Sequence, residues 1–143
     1  MHRIIHYPLM PTEKAVRDFL KPSACVFMPY VIFVDSFTSQ NTNSALIYSI
    51  FFSAASKNYR GCCMCSFWLS DLVNCFTGEP KNDIKTCVIN SIEHLRKSGH
   101  LSYKKIEERD NDNKNFEFTL KTIWVSKKGL RLKGKNTWLE LEE

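Results

Sequence analysis

Apolar positions along this chain recur with two periods, and residues 66–125 contain both. Ser66 is a residue type that caps helices. Phe67, Trp68, Leu69, Leu72, Val73 and Phe76 follow it at helical spacing until Thr77-Gly78-Glu79-Pro80 ends the run. Asn82 or Asp83 offers a cap for a second helix, whose Ile84, Val88, Ile92 and Leu95 recur at i, i+4, i+8 and i+11 as one inward stripe. Ser98-Gly99 closes it, with the glycine suited to the left-handed position just past a helix end. The period then changes to two. Residues 101–109 and 116–125 read as strands, the second alternating Phe116, Phe118 and Leu120 with Glu117, Thr119 and Lys121, and residues 110–115 form a polar hairpin tip.

Upstream, residues 1–10 have no clear period and read as an arm or a short edge strand. Thr12 caps a helix in which Ala15, Val16, Phe19 and Leu20 share a face, and Lys21-Pro22 ends it. Residues 25–34 are rich in β-formers, with Pro29 assigning them to an edge or a bulge, and residues 35–44 make a polar connector. Ser44 then caps a helix carrying Leu46, Ile47, Ile50, Phe51 and Ala54, a face wide enough to be buried on more than one side. Residues 57–61 lead out of it, and Cys62-Cys63-Met64-Cys65 has the length of one small strand. Past Val125, Ser126-Lys127-Lys128-Gly129 breaks the strand, Leu130 and Leu132 alternate with Arg131 and Lys133, and Gly134-Lys135-Asn136 turns the chain. A second hairpin or a short helix fits the remaining tail with Trp138, Leu139 and Leu141.

A core helix, a small strand, two helices joined by a short turn and a terminal hairpin resemble the winged helix-turn-helix family. Over residues 27–109 the arrangement is similar to the N-terminal domains of plasmid and phage replication initiators and of primosomal DnaD-like proteins. The residues that carry it are Ala45-Leu46-Ile47-Tyr48, Leu69-Ser70-Asp71-Leu72 and Ile92-Glu93-His94-Leu95-Arg96-Lys97-Ser98-Gly99-His100-Leu101. The resemblance implies an α+β winged helix-turn-helix fold, three core helices plus a β-hairpin wing. Residues 1–43 would then be an N-terminal extension, 44–125 the winged domain, and 126–143 a short C-terminal extension packing on it. It also implies a small non-enzymatic DNA-binding protein serving replication or regulation in a plasmid, phage or other mobile element.

Composition narrows the class without changing this picture. The 143 residues suffice for one domain with a proper core, and 43% hydrophobic with 24% charged residues is ordinary for a globular chain. The longest apolar runs, residues 25–34 and 45–55, fall short of the roughly 20 residues a bilayer helix needs. No signal-length apolar run precedes Pro8 and Pro11, so no membrane association and a cytoplasmic location are expected. Charge adds more. The net charge is +5, and residues 81–135 hold 14 Lys and Arg against 7 Asp and Glu, a local +7, whereas residues 1–80 hold 6 against 5. The excess therefore falls on the paired helices and the hairpin, which suits a polyanionic partner.

The six cysteines include the C-x-x-C pair Cys62 and Cys65, but Cys75 and Cys87 are single residues on different helices, where a structural zinc site supplies a second close pair. They read as reduced core thiols, with no metal and no cofactor expected. His2, His6, His94 and His100 lack metal-ligand spacing, and the last two read as packing or phosphate contacts. No phosphate-binding glycine loop and no nucleophile with a base is present, so no enzyme is expected.

The second helix of the pair is the sharpest candidate site. Opposite its inward stripe lie Asn82, Thr86, Asn90, Glu93 and Lys97, with Lys85 on the flank and Lys81 at the start. Asn, Thr and Lys suit base edges and phosphates, and the hairpin adds Lys104, Lys105, Arg109 and Lys114 among Glu107, Glu108, Asp110 and Asp112. The expected DNA-binding set is Lys81, Asn82, Lys85, Thr86, Asn90, Lys97, Lys104, Lys105 and Lys114. Two alternatives stay open. Ile89, flanked by Asp83 and Glu93, suits a protein-binding module such as an inhibitor or adaptor of a nucleic-acid enzyme. Outward-facing Tyr103, Phe116, Phe118 and Trp124 would stack single-stranded DNA, although alternation turns the phenylalanines inward. A homodimer would read paired half-sites.

Overall fold

The computed structural model describes residues 9–20, 30–39, 41–56, 63–78, 80–109, 113–126, 130–133 and 140–141 of an α+β chain built from helices and small antiparallel sheets. In chain order they form β1 (Met10–Pro11), α1 (Glu13–Ala15) running into a π-helical turn (Val16–Leu20), α2 (Tyr30–Thr38), α3 (Asn43–Ser56) and β2 (Met64–Trp68). Then follow α4 (Leu69–Val73), β3 (Phe76–Thr77), α5 (Lys81–Lys97), the hairpin β4 (Leu101–Arg109) and β5 (Asn113–Leu120), and β6 (Ile123–Ser126), β7 (Leu130–Lys133) and β8 (Glu140–Leu141). No helix among the described residues is long and apolar enough to cross a membrane.

The core is assembled around α3, which is apolar on nearly every side as its sequence requires: Ile47, Tyr48, Ile50, Phe51 and Ala55 are fully buried. Its Phe51 ring stacks on Phe118 of β5 with centroids 4.2 Å apart, which fixes the helix to the sheet. The inward stripe of α5 behaves as its spacing dictates, with Ile84, Val88, Ile92 and Leu95 all buried. Burying each such side chain contributes about 1.5–3 kcal/mol, so the stripe holds α5 far more firmly than helix propensity alone.

The end of α5 is set by backbone chemistry. Gly99 takes φ 83°, its N–H donates to the Arg96 carbonyl at 3.1 Å, and the His100 N–H donates to the Leu95 carbonyl at 2.9 Å. This paired closure satisfies two orphan carbonyls and sends the chain directly into β4. In the sheet order β2-β5-β4, Cys65 pairs with Phe118 and Phe118 with Tyr103, so these side chains share the face over α3. Ser66, Glu117 and Lys104 share the opposite face, where Lys104 and Glu117 form an ion pair at 3.5 Å. A bulge between Lys105 and Glu107 re-aims the outer half of the hairpin, and the Arg109 guanidinium sits 4.2 Å over the Trp68 ring.

Several boundaries differ from the sequence expectation. Ser66, Phe67 and Trp68 belong to β2 and not to the first helix of the pair. Phe67 pairs with Phe116, and α4 begins at Leu69 behind Trp68 without a side-chain cap. The small strand foreseen at residues 62–65 is therefore real but shifted along the chain. Phe76 lies past α4, in a two-residue strand paired with Pro11, because α4 already ends at Val73. Residues 30–34 are helical, not extended: β-branched Val31, Ile32 and Val34 favour a strand, but in α2 Ile32 becomes fully buried in the common core, and packing overrides propensity. Helix α2 also takes up residues 35–38 of the expected connector.

Helix α3 starts at Asn43, one residue before the cap foreseen at Ser44, and α5 starts behind Pro80 with Asn82 and Asp83 inside its first turn. The second hairpin strand runs over Asn113–Leu120 rather than residues 116–125, because Lys121 and Thr122 fold back to donate to the His100 carbonyl. The tail takes the hairpin alternative as the sheet β6-β7-β8. Thr12 does cap α1, accepting from the Ala15 N–H at 3.0 Å. Expectations for residues 1–8, 21–29, 57–62, 110–112, 127–129 and 134–139 lie outside the described residues.

Candidate nucleic-acid interface

Helix α5 is amphipathic, and burying its apolar stripe leaves the polar face outward. Lys81, Asn82, Thr86, Asn90 and Lys97 are exposed and Lys85 is half-buried. At its N-terminal end, Lys81, Asn82 and Lys85 join Ser70 and Val73 of α4, Asn74 at its end and Asn113 of β5 around an open cleft of about 270 Å³. Asn113 closes the corner: its side-chain oxygen accepts from the Ser70 N–H at 3.0 Å, tying the tip of the hairpin to the start of α4. Sequence reading missed Ser70, Asn74 and Asn113, whose polarity in a short helix and a hairpin tip carries no signal of convergence.

The charges on this surface divide into committed and available ones. The Arg96 guanidinium donates to the Glu93 carboxylate at 2.8 and 3.1 Å, and the Tyr103 hydroxyl donates to the same group. These bonds hold the Glu93 carboxyl below the usual carboxylate range, Arg96 being the larger cause. Its negative charge is thus largely matched locally. On the hairpin, Lys105 binds Glu108 at 2.9 Å and pulls that carboxyl down too, while Lys104 is turned to Glu117. Lys81, whose ammonium lies 3.5 Å from the Phe76 carbonyl, and Lys85, Lys97 and Lys114 have no carboxylate within ion-pair distance among the described residues.

Other sequence candidates fall elsewhere. His100 is packing and not a phosphate contact: it is 2% exposed, with Nδ1 2.9 Å from the Thr122 hydroxyl and Nε2 2.7 Å from the Asp35 carboxylate. His94 likewise turns its Nε2 to the Ser39 hydroxyl at 3.1 Å. Asp35, read as connector, is therefore a structural residue that ties α2 to the start of β4. Tyr103, Phe116 and Phe118 pack on one another, with Tyr103 to Phe116 centroids 5.3 Å apart and Phe118 buried; the Trp124 side chain lies outside the described residues.

Cys65, Cys75 and Cys87 are buried, and burial pushes the Cys65 thiol up to about 12 and Cys75 up to about 11. Among the described residues no three His, Cys, Asp or Glu side chains gather as metal ligands would. Ile89 is 40% exposed on the rim of a small apolar pocket formed with Leu69, Tyr103 and Phe116. No protein-family model, no curated protein and no solved structure matches the chain.

Proposed function

We propose that this chain is a winged helix-turn-helix protein that binds duplex DNA through the outer face of α5 and the hairpin β4–β5. The observation that carries the reading is the cluster of available lysines and amides where α4, α5 and β5 converge, lying on the part of the sequence with a local charge of +7. Helix α3 would be the first core helix, β2 the small strand, α4 and α5 the helix pair, and β4–β5 the wing. Lys81, Lys85, Lys97 and Lys114 serve as phosphate contacts, while Asn82, Thr86 and Asn90 face base edges. Lys104 and Lys105 contribute less, since each must first give up a carboxylate partner. The role proposed is that of a binding protein in replication or regulation.

Four available lysines fix the expected salt dependence. Each phosphate neutralised contributes about −0.9 to the slope of log affinity against log salt, giving a slope near −3 to −4. Lys85→Ala should remove about one from that slope and weaken all sequences alike, Lys105→Ala should remove clearly less, and Asn90→Ala should lower discrimination between sites at nearly constant slope. Titration of labelled duplex at several salt concentrations tests this, and an absence of salt-sensitive binding at micromolar protein refutes it. A protein-binding role is the second reading, favoured by Ile89 over its apolar pocket. In that case Ile89→Asp abolishes the complex and salt matters little.

A further inference from the structure

Helix α1 with its π-helical turn, the end of α3, β2, α4 and β5 line a cavity of about 730 Å³ that shares only Asn74 with the lysine cleft. Small-molecule sites have this size. One wall is aromatic. Phe19 and Phe67 meet edge to face with centroids 5.6 Å apart, Phe67 leans on the buried Phe51 at 5.7 Å, and Trp68 adds a third ring. This wall is anchored in the core. The other side is acidic, with the carboxylates of Asp18 and Asp71 against the one ammonium of Lys14. Lys14 is committed to Asp18 at 2.5 Å, and Asp71 has no cation within ion-pair distance among the described residues. These three charges converge on the Cys75 thiol: burial pushes it up to about 11, Asp71 and Asp18 add to the rise, and Lys14 opposes it. Asn115, also in the lining, has a buried side-chain oxygen without a donor among the described residues. Acceptors thus exceed donors, and the cavity is negative on a chain of net charge +5.

We propose that this cavity binds a small organic monocation with an aromatic body, an arylalkylammonium or arylamidinium, its charged head at Asp71 and its ring on the wall of Phe19, Phe67 and Trp68. Unmatched acceptors call for N–H donors, which excludes an anion. The count of charges sets the ligand's own: one carboxylate is uncommitted, and a second positive group would meet Lys14, already holding Asp18. An aromatic wall beside a cation adds the attraction of ring faces for positive charge, and a ring on the ligand buries apolar surface there. The cavity is also preformed. The Thr12 N–H donates to the Cys75 carbonyl at 2.8 Å while its hydroxyl caps α1, so the segment behind α4 is clamped to α1. A protein partner fits less well, because the apolar side chains that stand out from the surface, among them Phe37, Ile89 and Ile106, all lie outside the lining.

Ligand-observed NMR titrations of the full chain at neutral pH and low salt, without nucleic acid, test this independently of the DNA reading. The probes are phenethylammonium, phenethyl alcohol and hydrocinnamate, which share a ring on a two-carbon arm and differ in charge. The cation should bind with a dissociation constant below about 1 mM, the alcohol about tenfold more weakly, and the carboxylate more weakly still. Asp71→Asn should bring the cation down to the affinity of the alcohol and leave the alcohol unchanged, a split that a merely structural role would not produce. Glu107→Gln, which removes an exposed carboxylate on the hairpin, should alter neither. Ala54→Phe fills the cavity from α3 and should abolish binding of both; Asp71→Asn, at an exposed position, decides the matter should Ala54→Phe disturb folding. No binding of the cation up to about 10 mM, equal affinity for cation and alcohol, or a preference for the cation that survives Asp71→Asn overturns the proposal.

Discussion

Tyr48→Phe isolates one link in the polar cluster at the centre of the fold. The Tyr48 ring is fully buried in α3, and its hydroxyl donates to the Thr122 carbonyl at 2.6 Å and approaches the His100 carbonyl at 3.4 Å. Phenylalanine keeps the ring volume, so no cavity opens and only the hydrogen bonding changes. The His100 carbonyl retains the Lys121 and Thr122 N–H donors, at 2.8 and 3.3 Å, so the loss falls mainly on the short bond to Thr122. A typical buried bond is worth about 0.5–1.5 kcal/mol net, which sets the expected cost at about 1 kcal/mol. Urea unfolding followed by circular dichroism measures it. The pH dependence adds a sign. Burial raises the Tyr48 phenol far above its ordinary value of about 10, so the folded form keeps its proton where the unfolded chain loses it. The stability it provides is complete below about pH 10 and is lost as pH rises beyond that, and Tyr48→Phe should lack this loss. A variant within about 0.3 kcal/mol of the parent at neutral pH, with the same alkaline profile, would refute the role given to this hydroxyl.

Val88→Ala and Leu95→Ala should each cost about 2–5 kcal/mol by opening cavities under α5, measured by thermal or urea unfolding; losses below half a kcal/mol at both would mean that the stripe is not packed as described. Alkylation at pH 8 followed by peptide mapping should spare Cys65 and Cys75, whose thiolates are scarce at about 12 and 11, and the buried Cys87, until urea is added; prompt native labelling of Cys65 would contradict its burial.

Legibility in the sequence followed the strength of local signals. The α5 stripe and the glycine that ends the helix were readable because a 3.6-residue period and a left-handed turn depend on nearby residues alone. The inward phenylalanines of β5 were readable for the same reason. Helix α2 was not, since Val31, Ile32 and Val34 carry strand propensity and only packing in the shared core makes them helical. The start of α4 was misplaced because Phe67 and Trp68 satisfy helical spacing by coincidence while pairing with Phe116 and Asn115, partners some fifty positions away. At the candidate site, the outer face of α5 followed from its inner one. The pairing of Glu93 with Arg96 and of Lys105 with Glu108, which decides how much charge is available, and the arrival of Ser70, Asn74 and Asn113 beside Lys85 required the folded chain.

The central claim is that the outer face of α5 and the hairpin form the nucleic-acid surface. Amide chemical-shift mapping of the isotope-labelled protein during titration with duplex DNA at low salt tests it most directly. The largest shifts are expected at Asn82, Lys85, Thr86, Asn90 and Lys97, smaller ones at Lys104, Lys105 and Lys114, and little change at Phe33, Phe37 and Leu46. Shifts confined to the α2–α3 face, or none at any DNA concentration while the protein remains folded, would contradict it.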